Sequence, residues 1–354
     1  MKKTRIGVFF GGRSSEHEIS IKSAKSVMKS LDKTKYDILP IGADKSGHFH
    51  FGADAILSAM PAAAQMINDL RSAGVIDEKN SFGKLPEKIG ADLAEFLDVA
   101  FPVFHGTFGE DGTFQGLLRM FGIPFVGAGV LGSAVGMDKD VTKRLLRDAG
   151  IRSAKHLTFG KYESDRISYA DISATLGDII FVKPASLGSS VGVSKVRSED
   201  DFKKAIEEAF SYENKVIIEE FIKGREIECS VLGNDYPEAS LPGEIVVKRD
   251  FYSYSAKYLD EDAADLQIPA DLPAEIIDDI RKTSLKAYKV LCCEGMARVD
   301  FFLRNNSEIF LNEINTIPGF TEEISMYPKL WAASGLPYDK LLDKLIELAI
   351  SRGV

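Results

Sequence analysis

The 354-residue sequence holds only three cysteines, Cys229, Cys292 and Cys293. An odd count with two of them adjacent excludes a disulfide framework, and zinc-site spacing is absent. A reducing, cytoplasmic setting fits such a chain. Long apolar runs are missing too. None approaches the roughly 20 residues of a membrane helix. The basic start Met1-Lys2-Lys3 leads into an apolar run, 6–10, that stops at Gly11-Gly12. That is too short for a signal-peptide core. Positive charge is in deficit, with 44 Lys+Arg against 53 Asp+Glu and a formal net charge of -9. This argues against a general nucleic-acid binder and against an anionic-membrane surface protein. What remains is ordinary soluble composition, 45% hydrophobic and 27% charged, with length for two or three domains.

Near the C-terminus runs Ala297-Arg298-Val299-Asp300-Phe301-Phe302-Leu303, then a polar stretch, then Ile309-Phe310-Leu311-Asn312-Glu313-Ile314-Asn315. The pattern predicts two strands joined by a turn. With Asn306 and Ser307 as the central turn residues, Asp300 lies opposite Glu313 and Arg298 opposite Asn315. Alternation puts all four on one face. Paired carboxylates repel. A hard divalent cation held by Asp300, Glu313 and Asn315 would compensate, and oxygen-only donors suit magnesium bound with substrate phosphates. A solvated polar face is the other reading of the hairpin alone.

The rest of the chain adds units of the same chemistry. Residues 6–10 read as a buried strand entering a Gly-rich loop, then a helix with Ile19, Ser23, Val27 and Leu31 at helical spacing. Such units carry ligands beyond their strand ends, but the full G-x-G-x-x-G of a dinucleotide site is absent, which speaks against an oxidoreductase. A second strand, 99–104, enters His105-Gly106-Thr107-Phe108-Gly109-Glu110-Asp111-Gly112. A helix near 115–121 and a strand at 124–126 follow. Asp138 reads as an N-cap, with Val141, Leu145 and Ala149 inward. Lys139 and Lys143 fall in that helix's first turns, where the dipole disfavours cations. They are either solvated lysines or partners of an anion. The strand 179–183 leads to Ser186-Leu187-Gly188-Ser189-Ser190-Val191-Gly192, a loop able to fold over phosphates with its backbone N–H groups. The irregular segment 248–268 is long enough to be functional, and a lid over the site is expected there.

Together these pieces resemble the D-alanine–D-alanine ligases of the ATP-grasp superfamily. The motifs are F-G-G-R-S-S-E-H-E-I-S from Phe10, H-G-T-F-G-E-D-G from His105 and M-D-K from Met137. They continue with F-V-K-P-A-S-L-G-S-S-V-G from Phe181, E-E-F-I-K-G-R-E from Glu219, A-K-Y from Ala256, M-A-R-V-D and N-E-I-N-T-I-P-G-F. The resemblance implies a three-domain α/β ATP-grasp fold. Its N-terminal open parallel-sheet domain would span 1–137, its central domain 138–224 and its C-terminal catalytic domain 225–354. It implies ATP-dependent joining of two D-alanines through a D-alanyl phosphate, supplying peptidoglycan precursor. It also implies ATP with two magnesium ions (or manganese in their place), and a cytoplasmic homodimer without nucleic-acid or membrane partners.

By the same resemblance, Lys139, Lys183 and Lys257 reach phosphate oxygens, and Asp300, Glu313 and Asn315 hold the metal. Arg298, with a backbone N–H near Gly319, steadies the acyl phosphate and tetrahedral oxyanion. Glu16 holds the first D-alanine's ammonium, with Ser189 and Tyr258 as partners. His105 is read as substrate-binding from its position, since it follows a strand end facing the cleft. Glu219, Glu220, Ile222 and Glu226 match nucleotide contacts. Ser325 and Met326 match the second substrate's carboxylate, in a segment, 320–326, one residue longer than the family's.

Two other functions keep the same fold: a D-alanine–D-lactate ligase, against which Tyr258 argues, and a decayed nucleotide-binding protein, against which the complete charged set argues. His17 has no assigned role and reads as a helix-surface residue. Cys292 and Cys293 read as a buried apolar pair, Trp331 as a core or dimer contact, and Tyr252 and Tyr254 as packing of the long loop. Residues 52–95 carry no legible chemistry.

Overall fold

The computed structural model describes residues 2–76, 85, 89, 90, 92–247 and 264–354. The expected lid residues 248–263, with Tyr252, Tyr254, Lys257 and Tyr258, lie outside them. Strand β1 (Thr4–Gly11) sits between β2 (Tyr36–Ala43) and β4 (Val99–Pro102), parallel to both, and β3 (Phe49–Phe51) caps the edge. Ile6, Val8, Phe9 and Phe10 are fully buried, as a strand covered on both faces requires. At the carboxyl end of β1 the chain must turn sharply. A Cβ on Gly11 would lie 2.2 Å from the Ala43 carbonyl oxygen, and φ there is +88°, so only glycine serves. The loops after β1 and β4 therefore emerge side by side. The expected strand at 124–126 is reduced to one bridge between Ala100 and Phe125.

The second sheet is antiparallel, in the order β5 (His156–Gly160), β8 (Lys215–Glu220), β6 (Ile180–Pro184), β7 (Ser194–Val196). Helix Glu199–Tyr212 covers it with Phe202, Ala205, Ile206 and Ala209. The third sheet contains β9 (Arg225–Leu232), β10 (Glu238–Ala239), β11 (Gly243–Val247), β12 (Ala264–Gln267), β13 (Met296–Arg304) and β14 (Glu308–Asn315). Part of the segment expected to be irregular is thus a strand. The final helix, Tyr338–Arg352, returns to the first sheet's core with Leu341, Leu345 and Ile346. Trp331 is buried in that core.

The hairpin differs from expectation in an instructive way. Its loop has three residues, Asn305, Asn306 and Ser307, between the pair Arg304 and Glu308. Asn305 and Asn306 take left-handed φ of 52° and 54°, which asparagine tolerates. A bulge between Asp300 and Phe301 then shifts the register by one, so that Asp300 faces Glu313 and Arg298 faces Asn315. The pairing at the site is as expected although the turn is not.

The helix Lys139–Asp148 is capped by Asp138, whose side chain accepts from the Val141 N–H at 3.1 Å. It fully buries Thr142, Lys143 and Leu146; of the residues expected inward, Leu145 and Ala149 pack half-buried against the same core as Leu146, and Val141 is half-buried. The cysteine pair is also split. Cys293 is buried and Cys292 exposed, because Cys292 occupies a left-handed turn position, φ 55°, and its neighbour points the other way.

Helix Val130–Met137 approaches that same turn through Gly132, where a Cβ would lie 2.4 Å from the Cys292 carbonyl oxygen and 3.0 Å from its carbon. Backbone cannot yield as a side-chain tip can. Gly132→Ala is expected to destabilise the protein by about 1–3 kcal/mol, visible as a lowered melting temperature.

Candidate active site

The second and third sheets enclose a cavity of about 470 Å³. Lys139, Lys183 and Glu219 line it from one side and Glu228, Asp300 and Glu313 from the other, with Leu187, Gly188, Ser189 and Ser190 at one edge. Glu220, Ile222 and Glu226 also line it. Nine residues expected from the sequence therefore share one cavity.

Three adjacent strands build the acidic wall. Asp300 on β13 lies in register with Glu228 on β9 and Glu313 on β14. Arg298 threads between them. Its Nε donates to Asp300 Oδ1 at 2.7 Å and its Nη2 to Oδ2 at 2.7 Å. Nε also lies 2.9 Å from Glu228 Oε2. Asn315 Nδ2 donates to Asp300 Oδ2 at 2.9 Å. Burial opposes the charge on Arg298, but Asp300 and Glu228 outweigh it and hold the guanidinium firmly protonated. Among the described residues no three acidic, histidine or cysteine side chains converge as a self-contained metal cage. The donors are hard oxygens on one face, and they fit a cation whose sphere is completed by substrate phosphates.

The basic wall is built around Glu219. Lys183 Nζ lies 2.8 Å from its Oε2, and Lys143 Nζ 3.2 Å from its Oε1. Burial alone would raise the Glu219 carboxyl, but Lys143 and Lys183 outweigh it and bring it to about 2. Lys143 is only 1% exposed, so it is no solvated lysine. Its anion is the protein's own. Lys139 reaches over the cavity, donating to the Leu187 carbonyl at 2.6 Å with Glu313 Oε2 3.9 Å away. Burial lowers its ammonium, and Glu313 offsets this in part.

Because the folded-state Glu219 titrates far below its ordinary 4.5, its ion pairs stabilise the fold above about pH 4.5. That contribution is lost as pH falls toward 2. Melting curves of wild type and Glu219→Gln should differ most near neutrality and converge on acidification.

The loops of the first sheet meet the cavity's open edge. Glu16 is buried, and its Oε2 would lie 3.0 Å from a Cβ on Gly106 and 3.9 Å from one on Gly188. The carboxylate therefore faces both the 105–112 loop and the serine loop. In the latter, Ser189 and Ser190 hold left-handed φ of 53° and 58°, strain of the kind that collects at functional loops. His105 is enclosed, with Nε2 3.1 Å from Ser23 Oγ and Nδ1 3.2 Å from the Ile317 carbonyl. Glu110 lies 3.6 Å away. Burial opposes the His105 imidazolium, but Glu110 prevails and raises its pKa. His17 is buried as well, its Nδ1 2.8 Å from the Gly12 carbonyl. It is a loop-bracing residue and does not lie on the helix surface. Ser325 Oγ accepts from Thr321 N–H at 2.9 Å and would lie 2.9 Å from a Cβ on Gly319, so Gly319 and Ser325 adjoin. The Met326 side chain packs away with Ile245 and Leu330.

Sequence reading missed Glu228 and Glu110 as residues of the site, and it singled out Lys143 without its partner. Glu228 alternates with Glu226 on β9, a signal that was there to use. Lys143 follows Lys139 by one helical turn.

Antiparallel sheets closing on a cavity with lysines on one wall and carboxylates on the other define an ATP-grasp architecture. The family described as "D-ala D-ala ligase N-terminus" matches residues 5–128, and "D-ala D-ala ligase C-terminus" matches 145–347. The "D-alanine--D-alanine ligase" of Shouchella clausii is 51% identical over 355 aligned residues, 99% of this chain and 96% of that protein. The structure of the D-alanine-D-alanine ligase from Coxiella burnetii is 41% identical with a TM-score of 0.81, covering 99% of this chain and 96% of that one. A Bacillus anthracis D-alanine--D-alanine ligase structure complexed with ATP is 31% identical with a TM-score of 0.74, covering 99% and 98%. The chain belongs to the D-alanine–D-alanine ligase family.

Proposed function

We propose that this protein joins two D-alanines at the expense of ATP, through a D-alanyl phosphate, to supply peptidoglycan precursor. The observation that carries the reading is one cavity lined by Lys139 and Lys183 on one side and by Asp300 and Glu313 on the other. Moving a phosphoryl group onto a carboxylate gathers negative charge, and preorganised cations are the expected remedy. Lys139 and Lys183 bind phosphate oxygens, joined by Lys257. Glu219, Glu220, Ile222 and Glu226 hold the nucleoside. Glu16 takes the first D-alanine's ammonium, with Ser189 and Tyr258 closing on it. Arg298 and the Gly319 N–H meet the developing oxyanion, and Ser325 and the Met326 backbone meet the second carboxylate. His105 braces the substrate loops. Asp300, Glu313 and Asn315 would hold magnesium, two ions with the phosphates, or manganese in its place. When bound, that cation supplies charge neutralisation at the triphosphate. The working form is a cytoplasmic homodimer, with domains at 1–137, 138–224 and 225–354.

The test is phosphate release from ATP with D-alanine, L-alanine or D-lactate offered separately, and with D-alanine and D-lactate offered together. D-alanine alone should support it. No release with D-alanine overturns the reading, and release only with D-alanine plus D-lactate turns it toward a depsipeptide ligase. Tyr258→Phe is expected to slow dipeptide synthesis about tenfold to hundredfold, the factor for one hydrogen bond to a charged network. It should also shift the product balance toward a hydroxy-acid acceptor, checked by competing D-alanine against D-lactate.

A further inference from the structure

Lys143 belongs to the basic wall but, unlike Lys139 and Lys183, does not line the cavity. It rises from helix Lys139–Asp148 with 1% of its surface exposed, and its Nζ lies 3.2 Å from Glu219 Oε1. Glu219 is 3% exposed and does line the cavity. Its surroundings are specific. Lys183 on β6 pairs with Oε2 at 2.8 Å. Phe181, also on β6, sits in register beside it, and His156 on β5 sits in register on its other side. The carboxylate is thus gripped from two directions, by a lysine that can touch a ligand and by one that cannot. A buried lysine is costly. Among the described residues its ion pair is with Glu219, and Glu219 lines the cavity.

We infer that Lys143 is a positioning residue for base recognition, fixing the Glu219 carboxylate as an acceptor for the exocyclic amine of adenine. This deepens the proposed function and rests on its placement of the nucleoside at Glu219. A carboxylate has about four acceptor sites, so the two lysines leave capacity for an amine donor. Adenine presents an amine at its six-position and guanine a carbonyl. A carboxylate held in place accepts from the first and repels the second. Without Lys143, Lys183 becomes the sole counter-ion and draws Glu219 toward the phosphate side.

The test is direct calorimetric binding of ATP and GTP to the full-length protein, with turnover measured in parallel. Lys143→Met should weaken ATP binding about ten- to hundredfold, the factor for a charged hydrogen bond. It should also shrink the preference for ATP over GTP and leave kcat at saturating ATP within about threefold. Unchanged ATP affinity and unchanged base preference, with only a lowered melting temperature, would make Lys143 a structural counter-ion and overturn the inference. If Lys143→Met does not fold, the double variant with Glu219→Gln removes both buried charges. Set against Glu219→Gln alone, it should bind ATP within about threefold, because Lys143 acts only through Glu219. A further loss above about tenfold overturns the inference. Failure of the parent reading looks different: wild type would then bind no adenine nucleotide, or would bind it without D-alanine-dependent phosphate release.

Discussion

Arg298→Lys should lower kcat about 10²–10³-fold while leaving a folded protein. The guanidinium engages Asp300 through two parallel hydrogen bonds of 2.7 Å and meets Glu228 at 2.9 Å. An ammonium is a point charge and cannot reproduce that fork. It would settle on one carboxylate and withdraw from the other. Under the proposed function the developing oxyanion then loses its donor, and loss of one such donor costs about 10²–10³ in kcat. Positive charge is kept, so the buried carboxylates are not stranded. Arg298→Met would strand them, and breaking a buried pair costs about 3–5 kcal/mol. The measurement is kcat at saturating ATP and D-alanine, with melting temperatures of both variants. A lysine variant that turns over normally would show that Arg298 is only a counter-ion of Asp300 and Glu228.

Glu228 changes how this arginine is understood. In the present structure Arg298 carries two carboxylates, and Asp300 spends both oxygens on it and on Asn315. A cation at Asp300 would compete with the guanidinium for those oxygens. Glu228, on the far strand, remains to hold Arg298 in place. The three-strand register makes this division possible, since Asp300 is the shared neighbour of both acids.

The sequence made this register legible at the site even though it misled on the turn. Alternation along 297–303 and 309–315 predicts which side chains share a face, and burial of one face enforces that pairing. It does not reveal a bulge, because an extra residue leaves no mark when the chain on either side still alternates. The helix Lys139–Asp148 was legible in part, with Leu145 and Ala149 packed against the core as its stripe suggests. Its apolar stripe names Val141, Leu145 and Ala149, yet the helix turns Lys143 inward because Glu219, some 76 positions on in sequence, offers a buried anion. Periodicity weighs a lysine as polar and cannot see a partner on another sheet. The loops were legible as loops, since Gly11 and Gly12 have few other uses. The enclosure of His17 and His105 depends on contacts to the Gly12 and Ile317 carbonyls that no local pattern encodes.

Glu313→Gln should abolish most turnover, by about 10²-fold or more, with a stability change of about 1 kcal/mol or less. The substitution keeps size and shape and removes one charge. Glu313 faces Asp300 across the strands, so the native pair repels. Against that repulsion stands its attraction to Lys139, 3.9 Å away, which is screened because the Glu313 side chain is 29% exposed. Relief of the first should offset loss of the second, which is why the fold should hardly notice. Under the proposed function the reaction should notice strongly, because a carboxylate facing the triphosphate is what a hard cation requires, and a neutral amide oxygen is a poorer donor to it. The variant should therefore need more magnesium for what turnover remains. Titrating magnesium against rate, with a thermal melt of the same preparation, separates the two expectations. Near-normal turnover at saturating magnesium would remove Glu313 from the metal set and leave Asp300 and Asn315 to hold the cation with the phosphates.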